Sequence, residues 1–228
     1  MERQRTIRVT GKGTLRLRPD LTRLTMTLQG TEADYADALR KSAEDTETLR
    51  GVLEGLGFAR DRLKTAQFGV EPVYEGCQDE KGVYRNRFAG YQFQHTLSLE
   101  FAIDDALLGR TLYALARSGV AAEFHIAYAL ADPEAAKNAL LAQAVRDAAA
   151  KAGVLAGAAG LRLGAVVNID YSFADAEFAV RPMRKLAMAA NGMDAAGGSY
   201  DMGIEPEDIR ASDTVTVLWE IRNGGENR

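Results

Sequence analysis

Apolar and polar residues alternate along the first part of the chain. Small or apolar residues occupy every odd position from Ile7 to Leu17, and threonine, arginine and lysine fill the positions between them. Side chains on a strand alternate between its two faces, so the pattern predicts one buried face and one cationic, solvated face. After a turn at residues 19–20 the alternation repeats. We therefore expect a long antiparallel hairpin over residues 7–28.

The remaining pattern predicts three helices and five further strands. Helical spacing covers residues 31–56, 104–119 and 132–160, and strand-like segments cover 63–74, 91–103, 123–130, 165–173 and 213–222. Residues 75–88 are polar and are expected to form an exposed connection. The order is ββαββ-αβαββ, which predicts an α+β fold of antiparallel sheets packed against helices.

Three helix starts carry capping signals, and the simplest is Asp104 before the short second helix. Thr31 with Asp34 resembles a capping box, and Asp132-Pro133-Glu134 combines an N-cap, a proline at the first helical position and an acid near the positive end of the dipole. The last helix is rich in alanine, whose small side chain allows a sheet to approach closely. Its predicted inner face comprises Ala135, Ala139, Ala142, Val145, Ala149, Ala152 and Ala156.

Length, net charge and the lack of targeting segments limit the expected number of domains, the partners and the location of the protein. The chain has 228 residues, which predicts a single domain over 1–228 or two lobes of about 1–103 and 104–228. Its net charge of −4 argues against a nucleic-acid partner. The N-terminus shows no secretory signal and no segment is long enough to span a bilayer, so we expect a cytoplasmic protein. A periplasmic or secreted protein without its native signal would look the same.

No set of residues in the sequence points to a reaction. Gly11-Lys12-Gly13-Thr14 lacks the spacing of a phosphate loop, so the two glycines are interpreted as sites of close packing in a strand. His95 falls on the apolar face of its strand, where a hydrogen-bonded core residue is expected, and His125 falls on the opposite face from its apolar neighbours. Neither belongs to a metal-spaced cluster. We predict no catalytic, metal-binding or cofactor-binding residues.

Two surfaces are candidates for contact with partners. Residues 174–212 form a long connection before the last strand, which we expect to be flexible and either to mediate self-association or to be a disordered connection with no partner. The candidate contact residues in this loop are Phe178, Met183, Leu186, Met188, Met193 and Met202. The outer face of the first strand could attract an anion through Arg8, Lys12, Arg16 and Arg18. Such a face is also a common way to deter edge aggregation.

Together these motifs resemble the SIMPL domain family, a family of unknown function that includes bacterial periplasmic immunogenic and Pelle-like-kinase-associated proteins. The resemblance covers nearly the whole chain. The matching features are Val9-x-Gly11-x-Gly13, Pro19-Asp20, the long first helix, Pro72 with Tyr74, Gly90-Tyr91, Gly119, the alanine-rich helix, Leu163-Gly164, Pro182-Met183, Glu205-Pro206 and the valine-rich last strand. Glu207 departs from the glycine that often follows the Glu-Pro pair.

The resemblance implies an α+β fold, no established catalytic residues and a tendency to form large homo-oligomers through the loop before the last strand. The leading hypothesis is therefore a non-enzymatic, self-assembling protein that acts as a scaffold or stress-related interaction module. The alternative is a small-ligand-binding protein or an enzyme with a pocket between sheet and helices, near His95 or Tyr91.

Overall fold

A computed structural model describes residues 5–78, 84–171 and 206–223. Their elements follow the predicted order ββαββ-αβαββ, with a short 3-10 turn at Arg60–Arg62. The α+β prediction is confirmed. The elements are β1 (Thr6–Leu17), β2 (Leu21–Glu32), α1 (Tyr35–Gly55), β3 (Lys64–Gln78), β4 (Tyr84–Ala102), α2 (Asp105–Ala116), β5 (Ala122–Ala129), α3 (Pro133–Ala158), β6 (Leu161–Asp170) and β7 (Ile209–Asn223).

The chain divides into two compact units. Within the described residues, unit 1 comprises 5–19, 129–171 and 206–223, and unit 2 comprises 20–78 and 84–128. Unit 1 is an antiparallel sheet of order β1-β7-β6 with α3 packed on it, and unit 2 is a sheet of order β3-β4-β2-β5 with α1 and α2. The units are delimited near residues 19 and 128. A single domain, or lobes divided near residue 103, stays a prediction.

The hairpin predicted over residues 7–28 is wrong, although both of its strands exist. β1 pairs with β7, so that Val9 lies opposite Val217, and β2 pairs with β4, so that Leu24 lies opposite Leu99. The two strands therefore belong to different sheets. Alternation shows which face of a strand is buried, but it carries no information about which strand lies alongside.

Strand β1 and helix α3 pack backbone against backbone. A Cβ atom added at Gly11 would collide with the carbonyl oxygen of Ala144, and one added at Gly13 would collide with that of Leu140. The interpretation of these glycines as close-packing sites is confirmed. The buried face of α3 steps by four residues and consists of Ala136, Leu140, Ala144, Ala148, Ala152 and Ala156. The predicted inner face was correct at Ala152 and Ala156, and Val145 is partly buried against the same core, but Ala135, Ala139, Ala142 and Ala149 are exposed.

Helix α3 also covers the free edge of β1. The backbone N–H of Lys12 donates to Asp147 Oδ2 at 2.7 Å, and that of Thr14 donates to Gln143 Oε1 at 2.9 Å. The Lys151 ammonium and then the Lys12 N–H hold the pKa of Asp147 below its ordinary value. Side chains of the helix thus occupy two donors that an edge strand would otherwise leave open.

Of the three predicted helix caps, two are confirmed and one is wrong. Asp104 accepts from the Leu107 N–H at 2.8 Å. Asp132 accepts from the Ala135 N–H at 2.9 Å, as its Asp-Pro-Glu sequence predicted. At α1, however, β2 runs on to Glu32, and the N-cap Asp34 makes no side-chain hydrogen bond, so the predicted capping box at Thr31 is wrong. The strand continues because its residues pair with β4, and that pairing outweighs the local helix signal.

The region expected to be an exposed connection is largely strand. β3 continues to Gln78 and β4 begins at Tyr84, so residues 75–78 and 84–88 extend the same antiparallel ladder. Cys77 accordingly lies on a strand, where its thiol donates to the Arg85 carbonyl oxygen at 3.5 Å. Polar composition misled the prediction because both faces of this arm are largely exposed.

Replacing Gly11 by alanine is expected to lower the free energy of unfolding by about 1–3 kcal/mol, because the new methyl group must push α3 away from β1. The matched control is Gly51→Ala on α1, where an added Cβ meets nothing within 4 Å. That variant should gain about 0.5–1 kcal/mol. Denaturant unfolding measures both, and an unchanged stability for Gly11→Ala would contradict the close contact.

Candidate functional site

The basic residues predicted on the first strand lie where expected. Arg8, Lys12 and Arg16 are exposed on the outer face of β1, and Arg18 is exposed just beyond its end. Arg16 Nε forms an ion pair with Asp208 Oδ2 at 2.7 Å. Their role as an anion-facing strand stays a prediction.

The loop residues proposed for self-association lie outside the described residues. Phe178, Met183, Leu186, Met188, Met193 and Met202 all fall between residues 172 and 205. The flexibility and the contacts expected for this segment therefore stay predictions.

Strand β6 is an apolar edge that sequence reasoning missed. It is the last strand in the sheet order β1-β7-β6, and Val166, Val167 and Ile169 are 45–52% exposed. Its pairing with β7 shifts register on either side of Val166. The signal in the sequence was Val166-Val167 followed by Ile169 in a short strand. The same pattern predicts a buried strand equally well. Only the sheet order identifies it as an edge.

A cluster of hydroxyl groups surrounds His95 in unit 2. On α1, Ser42 Oγ is 3.0 Å and Thr46 Oγ1 is 3.2 Å from His95 Nδ1. On β3, Thr65 Oγ1 is 2.9 Å from Nε2, and the Phe68 ring packs edge-on with centroids 5.0 Å apart. The histidine thus joins helix α1 to strands β3 and β4. Its predicted position as a hydrogen-bonded residue on the apolar face is confirmed.

Hydroxyl groups satisfy both ring nitrogens of His95. Thr46 donates its hydroxyl proton to the Ser42 carbonyl oxygen at 2.8 Å, so its oxygen faces Nδ1 of His95 as an acceptor. Ser42 Oγ can donate to Nδ1 or accept from it, and Thr65 Oγ1 can do the same at Nε2, so both tautomers of the ring are satisfied by hydroxyl groups. Burial and then the positive charge of Arg50 hold the pKa of His95 below its ordinary value, which favours the neutral ring.

The hydroxyl partners could have been found from the sequence only with the correct helix phase. The helical spacing over residues 31–56 predicted the helix without placing these polar residues on its inner face, and the buried residues of α1 are Ala38, Ser42, Thr46, Leu49 and Leu53. A neutral imidazole accepting from a hydroxyl has the geometry of a general base. However, both ring nitrogens of His95 already have hydroxyl partners within the fold. The contacts therefore fit a structural bridge.

Comparison with known proteins identifies the family. The profile of SIMPL, described as a protein of unknown function (DUF541), matches residues 7–219. The chain belongs to the SIMPL family. The resemblance inferred from its motifs is confirmed, and the match includes both the close-packed β1 strand and the His95 cluster.

Two curated relatives of this SIMPL protein carry the same name. The 26 kDa periplasmic immunogenic proteins of Brucella melitensis biotype 1 and Brucella abortus (strain S19) are each 26% identical to it over 164 residues. The aligned region is 72% of this chain and 65% of each relative, so the chain spans about two thirds of their length. Their names overturn the expectation of a cytoplasmic protein. No helix in the described parts is long and apolar enough to cross a membrane.

The partly buried imidazole of His95 predicts a pH dependence of stability. Because folding lowers the pKa of His95, the unfolded state binds a proton more readily, so stability is lost as the pH falls below about 6.5. At pH 7.5, His95→Asn should lower the free energy of unfolding by about 1–3 kcal/mol, since the hydroxyls lose partners. The difference between wild type and variant should then shrink on acidification.

The control for this measurement is His125→Asn, which removes the other histidine and keeps the cluster. Its stability should run parallel to that of the wild type from pH 7.5 to 5. NMR titration of the two imidazoles gives the pKa of His95 directly, and a value at or above 6.5 would contradict the prediction.

Proposed function

We propose that this chain is a periplasmic, non-enzymatic protein that assembles with copies of itself and acts as a scaffold or stress-related interaction module. The observation that carries the proposal is the exposed apolar edge of β6. The periplasmic location is supported by the names of both curated relatives.

The two edges of the unit 1 sheet differ in whether they can accept another strand. Along β1, Asp147 and Gln143 accept the N–H groups of Lys12 and Thr14, which blocks the addition of another strand there. Among the described residues, β6 has no neighbouring strand on its outer side. Native proteins usually protect such an edge with charge, proline or cover. Here it carries Val166, Val167 and Ile169 instead.

A second copy of β6 is the partner that this edge fits. Antiparallel pairing of two identical strands is isologous, so one apolar edge can satisfy both copies. Main-chain hydrogen bonds would supply affinity, and the aliphatic side chains would remove apolar surface from water on both sides of the new ladder. Two sheets of three strands would then become one sheet of six.

The non-enzymatic part of the proposal rests on the His95 cluster. Both ring nitrogens are used by hydroxyls of the fold itself, on α1 and on β3. A histidine held in this way stabilises the packing of a helix on a sheet. This supports a role in structure over a role in chemistry.

Replacing Val167 and Ile169 together by lysine should shift the oligomer towards monomer, because each lysine places a charge in the pairing edge. Size exclusion with light scattering over a range of concentrations measures the mass. The matched control is Val154→Lys, since Val154 is 72% exposed on α3 of the same unit. The control should assemble like the wild type.

Deletion of residues 178–202 tests whether self-association depends on this loop or on strand β6. If β6 is an interface, the deletion variant still self-associates and the lysine pair still disrupts it. A wild-type chain that is strictly monomeric at high concentration would contradict the proposed assembly. A lysine pair that leaves the mass unchanged would contradict the role of β6.

A further inference from the structure

Two arginines face each other at one end of the β1–β7 pair. Arg16 lies directly opposite Arg210, and Thr14 lies directly opposite Ser212. The N–H of Thr14 points to Gln143 on α3 and away from β7, so these are non-hydrogen-bonded pairs, in which opposite side chains come closest. All four side chains lie on the outer face of the sheet, away from α3.

Like charges in directly opposed positions destabilise a sheet unless an anion lies between them. Asp208 supplies part of that charge by pairing with Arg16 Nε at 2.7 Å. Among the described residues, Arg210 has no acidic partner. One carboxylate therefore faces two guanidinium groups, which leaves a local excess of positive charge in a chain of net charge −4.

The same residues line an open depression. It has a volume of about 340 Å³ and is bounded by Thr14, Leu15, Arg16, Arg210, Ala211 and Ser212. This is at the small end of the range for ligand sites and far above the roughly 30 Å³ that one water occupies. A small organic molecule with a charged group fits it better than a bare ion does.

We propose that this depression binds the phosphate group of a small phosphorylated molecule. Guanidinium forks match tetrahedral oxyanions in a bidentate manner, and two forks with two hydroxyl donors offer more hydrogen bonds than a carboxylate can accept. The site uses Arg16 of the predicted basic strand. Arg8, Lys12 and Arg18 lie outside it, and Arg210, which completes it, is far from them in sequence.

Asp208 distinguishes this site from a general basic surface, because it is an acidic residue that competes with the bound phosphate. Its carboxylate occupies Arg16 Nε, so it competes with a bound phosphate for the same guanidinium. Removing that charge should tighten phosphate binding, whereas removing Arg210 should weaken it. The proposal is independent of self-assembly, because none of its residues belongs to β6.

Calorimetric titration with phenyl phosphate tests the site at constant ionic strength, with sodium chloride as the reference salt. We expect Arg210→Gln to weaken binding at least tenfold and Asp208→Asn to tighten it several-fold. Arg210→Lys should also weaken binding, since it keeps the charge and loses the fork. The matched control is Arg8→Gln, which removes the same charge from the same face of β1 and should bind like the wild type.

Two further binding measurements identify the kind of molecule that carries the phosphate. Inorganic phosphate should bind more weakly than phenyl phosphate if the depression holds an organic group. Sedimentation with phosphatidylglycerol vesicles that depends on Arg210 but not on Arg8 would identify a lipid headgroup as the source. Equal losses for Arg8→Gln and Arg210→Gln, or no saturable binding by the wild type, would overturn the proposal.

Discussion

The contact between β1 and α3 is the constraint on which unit 1 depends. At Gly11 and Gly13 the strand has no side chain, and the helix backbone at Ala144 and Leu140 occupies that space. On the buried face of α3, Ala144, Ala148 and Ala152 pack in one core with apolar residues of β1 and β7. Such packing is intolerant of added volume, because interiors of this density have no free space to accept a methyl group. It also aligns the helix with one particular strand.

That contact decides which surfaces unit 1 leaves available. With α3 on the inner face, Asp147 and Gln143 reach the edge of β1 and occupy its donors. The outer face then keeps its threonines and arginines in solvent, and β6 keeps an apolar edge. The proposed assembly interface and the proposed phosphate site are thus two consequences of one packing arrangement. In unit 2 the apolar residues Leu49 and Leu53 pack α1 against the sheet, and the His95 cluster adds hydrogen bonds between helix and sheet.

The candidate sites show which functional residues can be predicted from sequence patterns and which cannot. Alternation alone placed His95 on an apolar face. Identifying its partners Ser42 and Thr46 required knowing which face of α1 is buried. Composition does not determine that face when alanine and leucine are spread around the helix. Arg16 was identifiable as basic and exposed. Arg210 was not linked to it, because the pairing joins residues almost two hundred positions apart. Sites built from distant segments need the fold before they can be recognised.

The sequence by itself determined the class and order of the elements, the inner and outer faces of β1, the Asp132 helix start and the family. All of these follow from local periodicity or from motifs, which each segment carries without its neighbours. Only the tertiary structure decided that β1 and β2 separate into different sheets, that β6 is an edge, and that Arg16 meets Arg210. Strand pairing is non-local, because every backbone offers the same donors and acceptors. The choice of partner is made by packing across the whole unit.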